Sequence, residues 1–205
     1  MADGSTDLAR NRPGDAVLKK LMELEPNSVK RLFARWSRDQ DVRSWASGLI
    51  GERITGRRLA RLGQQWKVLH AVQWASGSDI DHLAVGPAGV FAINSKRHKG
   101  KAVWYGDRAI TVNRAPTRHI AISQGEAQRI ARVLSRRCGF SVTVRPVIAV
   151  VHAAKLTVKN AAPPVLVVEA VDLSRRLAGM SPVLSSDQVT RIYEVARDAR
   201  TWARG

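Results

Sequence analysis

Cysteine is almost missing from this chain: Cys138 stands alone. No intramolecular disulfide can form and no cysteine-based zinc cluster can assemble, which suits a reducing compartment. Acidic residues are scarce as well, 17 Asp and Glu against 34 Lys and Arg, for a net charge of +17. That imbalance points to an anionic partner, nucleic acid first and a membrane surface or ribosome next. Long apolar runs are lacking: none approaches the ~20 residues needed to span a bilayer. The longest, around Val147 to Ala154, reads as a buried strand. The opening MADGSTDLARNRPGD has no apolar core of the kind a secretory signal carries. A cytoplasmic location is therefore expected, with no membrane span and no disulfide partner. There is no internal repeat and no glycine-rich phosphate loop. What is present is ordinary globular content: 44% hydrophobic residues over 205 positions, sufficient for one compact domain with an extension.

The most informative stretch is Ser78 to Lys96, SDIDHLAVGPAGVFAINSK. Apolar residues flank the turn Gly86-Pro87-Ala88-Gly89, which predicts a hairpin. Antiparallel pairing about those four residues sets Val85 opposite Val90, Leu83 opposite Ala92, Asp81 opposite Asn94 and Asp79 opposite Lys96. Opposed residues share a face. Asp79, Asp81, Asn94 and Lys96 should then form one patch at the open end, with Ile80, His82, Phe91, Ile93 and Ser95 on the other face. Charges at the end of a buried strand are costly unless paired or used. Two readings stay open: an Asp79–Lys96 ion pair with Asp81 capping a backbone group, or carboxylates holding Mg²⁺ beside a lysine that orients water.

Around the hairpin the periodicities predict an α/β chain. A tail to Gly14 precedes a helix over Ala16 to Leu24, capped by Asp15 and stopped by Pro26. A second helix begins near Ser28, with Val29, Leu32, Phe33 and Trp36 on one side; these are expected to close back onto the domain, leaving a solvated basic face. Trp45 to about Leu62 reads as the first core helix, and Trp66 to Trp74 as the first strand. Ala102 to Val112 reads as a second hairpin with a Gly106-Asp107 turn. Arg118 to Arg137 reads as a long helix and Ser141 to Val151 as a buried strand. Lys155 to Pro164 is expected to be a loop. Val165 to Val168 reads as a short strand and Leu173 to Leu177 as a short helix. Ser185 opens a capping box with Gln188 ahead of the last helix. Between strand and helix, Arg97, Lys99, Lys101, Arg114 and Arg118, with Trp104 among them, suit a nucleic-acid track or a merely solvated charge run.

Several short words fall in a suggestive order. Gly48-Leu49-Ile50-Gly51-Glu52 is followed by Ile80-Asp81-His82, Val85-Gly86-Pro87, Gly89-Val90-Phe91 and Ile93-x-x-Lys96. Together they resemble the NERD (nuclease-related) domain, which is grouped with the restriction-endonuclease-like PD-(D/E)xK fold. The likeness covers about Trp45 to Val151. It implies a mixed central sheet flanked by helices over residues 45–205, with residues 1–44 as a basic helical extension. It implies Asp81 and Asn94 as ligands for Mg²⁺ or Mn²⁺, Lys96 as the group that positions water, and Glu52 and Gln124 as assistants. Asn94 stands where the family pattern wants an acid, and a neutral carbonyl is a weaker ligand for a hard dication. Asp79 or Glu52 is a candidate for the missing charge.

The resemblance gives two functional expectations. One is metal-dependent phosphodiester hydrolysis in DNA processing. The other is a nuclease-like fold without catalysis that binds nucleic acid, DNA ahead of RNA, through Lys96, Arg97, Lys99, Lys101, Arg114 and Arg118.

Overall fold

The computed structural model describes residues 6–106, 109–160 and 163–203. Its centre is a five-stranded mixed sheet in the order β1-β2-β3-β7-β9. Strands β1 (Lys67–Gln73), β2 (Asp79–Gly86) and β3 (Gly89–Arg97) form an antiparallel meander. Strands β7 (Val144–Val151) and β9 (Leu166–Glu169) then add parallel to it. A smaller four-stranded sheet, β6-β5-β4-β8, stands beside it. It is built from β4 (Ala102–Tyr105), β5 (Ile110–Val112), β6 (Ala115–Thr117) and β8 (Lys155–Val158).

Helices cover both faces of the large sheet, so its strands are apolar on both sides. On one face Leu83, Val85, Val90 and Ala92 pack against α4 (His119–Cys138) and α6 (Ser186–Arg197) through Ala127, Ile130, Leu134, Val189 and Ile192. On the other, Ala84, Phe91, Ile93 and Val147 pack against Leu59 of α3 (Gln40–Leu59) and Leu173 and Leu177 of α5 (Leu173–Ala178). Val103, Tyr105 and Ile110 of the small sheet rest on Ile148 and Val150 of β7. The expected capping box forms, with Ser185 and Gln188 bonding reciprocally at the start of α6.

Ahead of the sheet, α1 (Asp15–Leu24) buries Val17 and Leu21 against Val42, Ala46 and Leu49 of α3. Asp15 is the first helical residue rather than the cap; Gly14, in the left-handed region, takes the cap position. The α2 segment (Ser28–Leu32) departs from expectation. Val29, Leu32, Phe33 and Trp36 stay exposed, Leu32 at 76% and Trp36 at 60%. The helix lasts one turn and passes at Phe33 into a 3-10 turn, so no continuous apolar stripe forms; only Ala34 is buried.

Three further differences are local. The core helix starts at Gln40, five residues before Trp45, because the Asp39 carboxylate caps it by accepting from the Asp41 and Val42 amides. The segment expected as a loop from Lys155 contains β8, paired parallel to β4. The second hairpin forms as β4 and β5, while Asp107 of its expected turn lies outside the described residues, as does Arg108.

Candidate metal centre

The expected hairpin register holds in its closed half, with Val85 opposite Val90 and Leu83 opposite Ala92. The recorded ladder runs to His82 opposite Ile93. Beyond it the Asp81 carboxylate enters the gap and accepts from the Ser95 amide at 2.6 Å. The expected direct opposition of Asp81 to Asn94 and Asp79 to Lys96 gives way to this side-chain bond.

The cause lies in the neighbouring strand. Ala71, the residue facing Asp81 in the β1–β2 register, has φ 48°, a left-handed conformation rare for alanine. Its carbonyl accepts from Asn11 Nδ2 at 3.0 Å, which ties the kink to the N-terminal segment. On either side the pleat changes phase. Leu69 and Val72 lie in the same core cluster although they are three residues apart, and so do Leu83 and Ile80. Ile80 was expected on the face of His82 and packs instead with Leu83. Asp79 is thereby turned to the side from which α3 presents Glu52.

Glu52, Asp79 and Asp81 meet there, each offering a carboxylate oxygen, all within 4.8 Å of one another. Glu52 is 4% exposed, and its Oε2 is buried without a hydrogen-bond partner. Burial first, then the Asp81 and Asp79 charges, push its pKa up to about 9; Lys96 and the Gly14 backbone act in the opposite direction. Burial pushes Asp81 up to about 6 against the pull of Lys96 and the Ser95 amide. Asp79 is raised for the same reason, with Lys96 again opposing. The ammonium of Lys96 thus bears on every carboxylate of the cluster.

A fourth acid joins from α4. Glu126 is pushed up to about 8, by burial and then by Asp81 and Asp79. Gln124, the residue expected to serve from this helix, lies two positions earlier, about 200° round the axis at ~100° per residue. The two side chains therefore leave α4 on different sides, and both are half-buried. His119, seven residues before Glu126 and so on the same face, is lowered to about 4 by burial, Lys96 and His98. The signal for Glu126 was available in the spacing, since it sits one helical turn before the buried Ile130.

Behind the cluster runs a line of buried hydrogen bonds. The Nδ1 atoms of His70 and His82 are 2.8 Å apart, and His82 Nε2 is 3.2 Å from Ser95 Oγ. Burial lowers both imidazoles, His70 to about 4 and fully buried His82 well below its ordinary value. Both rings are neutral at pH 7, and one donates to the other. Ser95, held by His82, gives its amide to Asp81, so this line fixes the residue on which the carboxylate leans.

Asn94 is 9% exposed, with its Oδ1 buried and unpartnered. Lys96 is half-buried, and Lys99, Lys101, Arg114 and Arg118 are exposed. Arg97 is half-buried: its Nη1 donates to Ser47 Oγ at 3.0 Å, its Nε has no hydrogen-bond partner, and its Cβ packs closely against Gly51 of α3.

Three mutually repelling carboxylates, one with an orphan buried oxygen, make a donor set that suits a hard dication. Its donors are oxygens with no thiolate or imidazole among them, a set for a hard ion rather than a soft one. Among the described residues, no helix is long and apolar enough to cross a membrane. No curated protein and no solved structure matches the chain significantly. The family model described as nuclease-related domain matches residues 47–151, just over half of the 205 residues, and spans α3, the hairpin, α4 and β7. The chain belongs to the NERD, or nuclease-related domain, family.

Proposed function

We propose that this chain is a divalent-metal-dependent phosphodiesterase acting on nucleic acid. The observation that carries the reading is the convergence of Glu52, Asp79 and Asp81 beside Lys96. Asp81, Asp79 and Glu52 would hold Mg²⁺ or Mn²⁺, with Asn94 Oδ1 as a neutral donor. A bound dication there lowers the pKa of a water and offsets charge building on the phosphate. The remaining work falls to the side chains. Lys96 draws a phosphate oxygen towards the carboxylates and stabilises the negative charge that grows in the transition state. Glu126, held protonated near neutral pH by its surroundings, can release or take a proton at the edge of the cluster. The Ser95 amide donates to one Asp81 oxygen and steadies the carboxylate.

The charge that Asn94 lacks is supplied, in this reading, by Glu52 and Asp79. The test is a cleavage panel of linear, nicked and single-stranded DNA and RNA with Mg²⁺ or Mn²⁺, run beside Asp81→Asn. Metal-dependent cleavage that falls by at least a hundredfold in the variant is expected. Cleavage that survives the substitution refutes this site.

Asn94 also favours a second reading, a nuclease-like fold that binds nucleic acid without cutting it. It predicts salt-sensitive binding with no cleavage in the wild-type protein, and cleavage gained in Asn94→Glu. Wild-type cleavage refutes it.

A further inference from the structure

The small sheet turns one face to the core and the other to solvent. Val103, Tyr105 and Ile110 point inwards. Trp104, between two of them, points outwards and is 45% exposed. Its cross-strand partners are Thr111 on β5 and Thr157 on β8. Ala102, Trp104, Thr111, Asn113 and Arg114 line an open concavity of about 760 Å³. The indole lies against Gly106, where an added Cβ would come within 2.1 Å of Cη2. A glycine at that place lets the ring lie down on the sheet.

The rim is basic. Lys155 stands opposite Ala102, hence on the outer face, and is exposed. Arg114 lines the concavity beside the ring and is presented by a tight turn in which Asn113 and Arg114 both have positive φ. Asn113 anchors that turn by accepting from the Ala102 amide at 2.9 Å. Between Lys96 and Glu126 the sequence carries Arg97, Lys99, Lys101, Arg108, Arg114 and Arg118 against the single acid Asp107.

We propose that this outer face binds an unpaired nucleic-acid strand, with one base stacked on Trp104 and its phosphates against Arg114 and Lys155. The inference rests on the reading of the carboxylate cluster as a phosphodiester site and names its substrate class: a strand that is single-stranded where it leaves that site. A duplex keeps the faces of its bases stacked inside and has none to offer a tryptophan platform. An open strand offers both base faces and phosphates, which is what an aromatic ringed by cations collects. The distance fits. Ala102 lies six positions after Lys96, so the two are at most ~22 Å apart even with the chain fully extended. One strand can therefore touch both places.

The test is binding of a fluorescein-labelled 20-nucleotide oligothymidine and of a 20-base-pair duplex to the full chain, measured in EDTA. Trp104→Ala should weaken oligothymidine binding roughly tenfold and leave duplex binding within twofold, since stacking on one aromatic is worth about that factor. Trp104→Phe should recover most of the loss. Trp104 is at the surface, and an unchanged melting temperature shows that the variant is folded. Unchanged oligothymidine affinity in Trp104→Ala overturns the proposal, as does an equal loss for strand and duplex. Because no metal is present, the outcome is independent of hydrolysis. A protein that binds open strands through Trp104 but never cleaves contradicts the phosphodiesterase reading alone. One that cleaves through Asp81 while Trp104→Ala changes nothing contradicts this inference alone.

Discussion

Glu52, Asp79, Asp81 and Glu126 are carboxyl groups that folding makes harder to ionise, chiefly by taking them out of water. The sign of the consequence follows from proton counting. Their folded pKa values lie above the unfolded ones, so the folded state holds more protons between the ordinary 4.5 of glutamate and about 9 for Glu52. Their contribution to stability is complete below that window and is lost as pH rises through it. His70 and His82 act oppositely, gaining stability as pH rises, but their effect is complete above the ordinary 6.5 of histidine. The metal-free protein should therefore lose several degrees of melting temperature between pH 6.5 and pH 9, and Glu52→Gln should flatten part of that slope, leaving the share of Glu126. A scan of melting temperature against pH in EDTA checks both. A flat wild-type curve contradicts the assignment. At the same scale, His82→Ala leaves a cavity and strips His70 and Ser95 of a partner. A loss of about 2–4 kcal/mol in urea unfolding is expected, with metal-dependent activity falling further than stability alone explains.

Among the elements, the hairpin was legible because its evidence is local: a four-residue turn, apolar residues on both sides and a period of two. The register of Leu83 and Val85 followed directly. The change of phase at Ala71 was not legible, since an alanine in the left-handed region leaves no mark on composition; it is imposed by Asn11 from sixty residues away. For the same reason the sequence hinted at Glu52 only through the family words. Strands β6 and β8 were missed because Ala115-Pro116-Thr117 and Lys155-Leu156-Thr157-Val158 bury no apolar residue and so carry no core signal. Pro116 also argued against β6. The α3 helix kept glycines whose role is close approach. A Cβ at Gly56 would lie 2.2 Å from Pro13 Cγ, so this glycine seats the N-terminal segment that carries Gly14 past Glu52. Gly56→Ala should cost about 1–3 kcal/mol through overpacking. It should also raise the protease sensitivity of residues 6–24, read by limited proteolysis and mass spectrometry. Unchanged stability and cleavage pattern would show that the segment is seated by other contacts.

For the whole molecule, the net charge of +17 and the basic run after β3 set a long-range attraction for phosphate. If Lys96, Lys99, Lys101, Arg114 and Arg118 each meet one phosphate, duplex affinity should fall with salt at a log–log slope of about −4 to −5. Removing Lys99 and Lys101 together should reduce that slope by about 2, measured by fluorescence anisotropy from 50 to 300 mM NaCl. A slope that does not change places the contacts elsewhere. Of the cations, Lys96 acts on every carboxyl of the acidic cluster, and burial outweighs it at each. Whether the cluster holds a metal is the most direct question, and calorimetric titration of Mn²⁺ at pH 7 answers it. Run in two buffers of different ionisation enthalpy, it should show one class of site with net proton release, because Glu52 must ionise to become a ligand; Asp81→Asn should remove the binding. Absence of binding to the wild-type protein, or equal binding to the variant, would contradict the account.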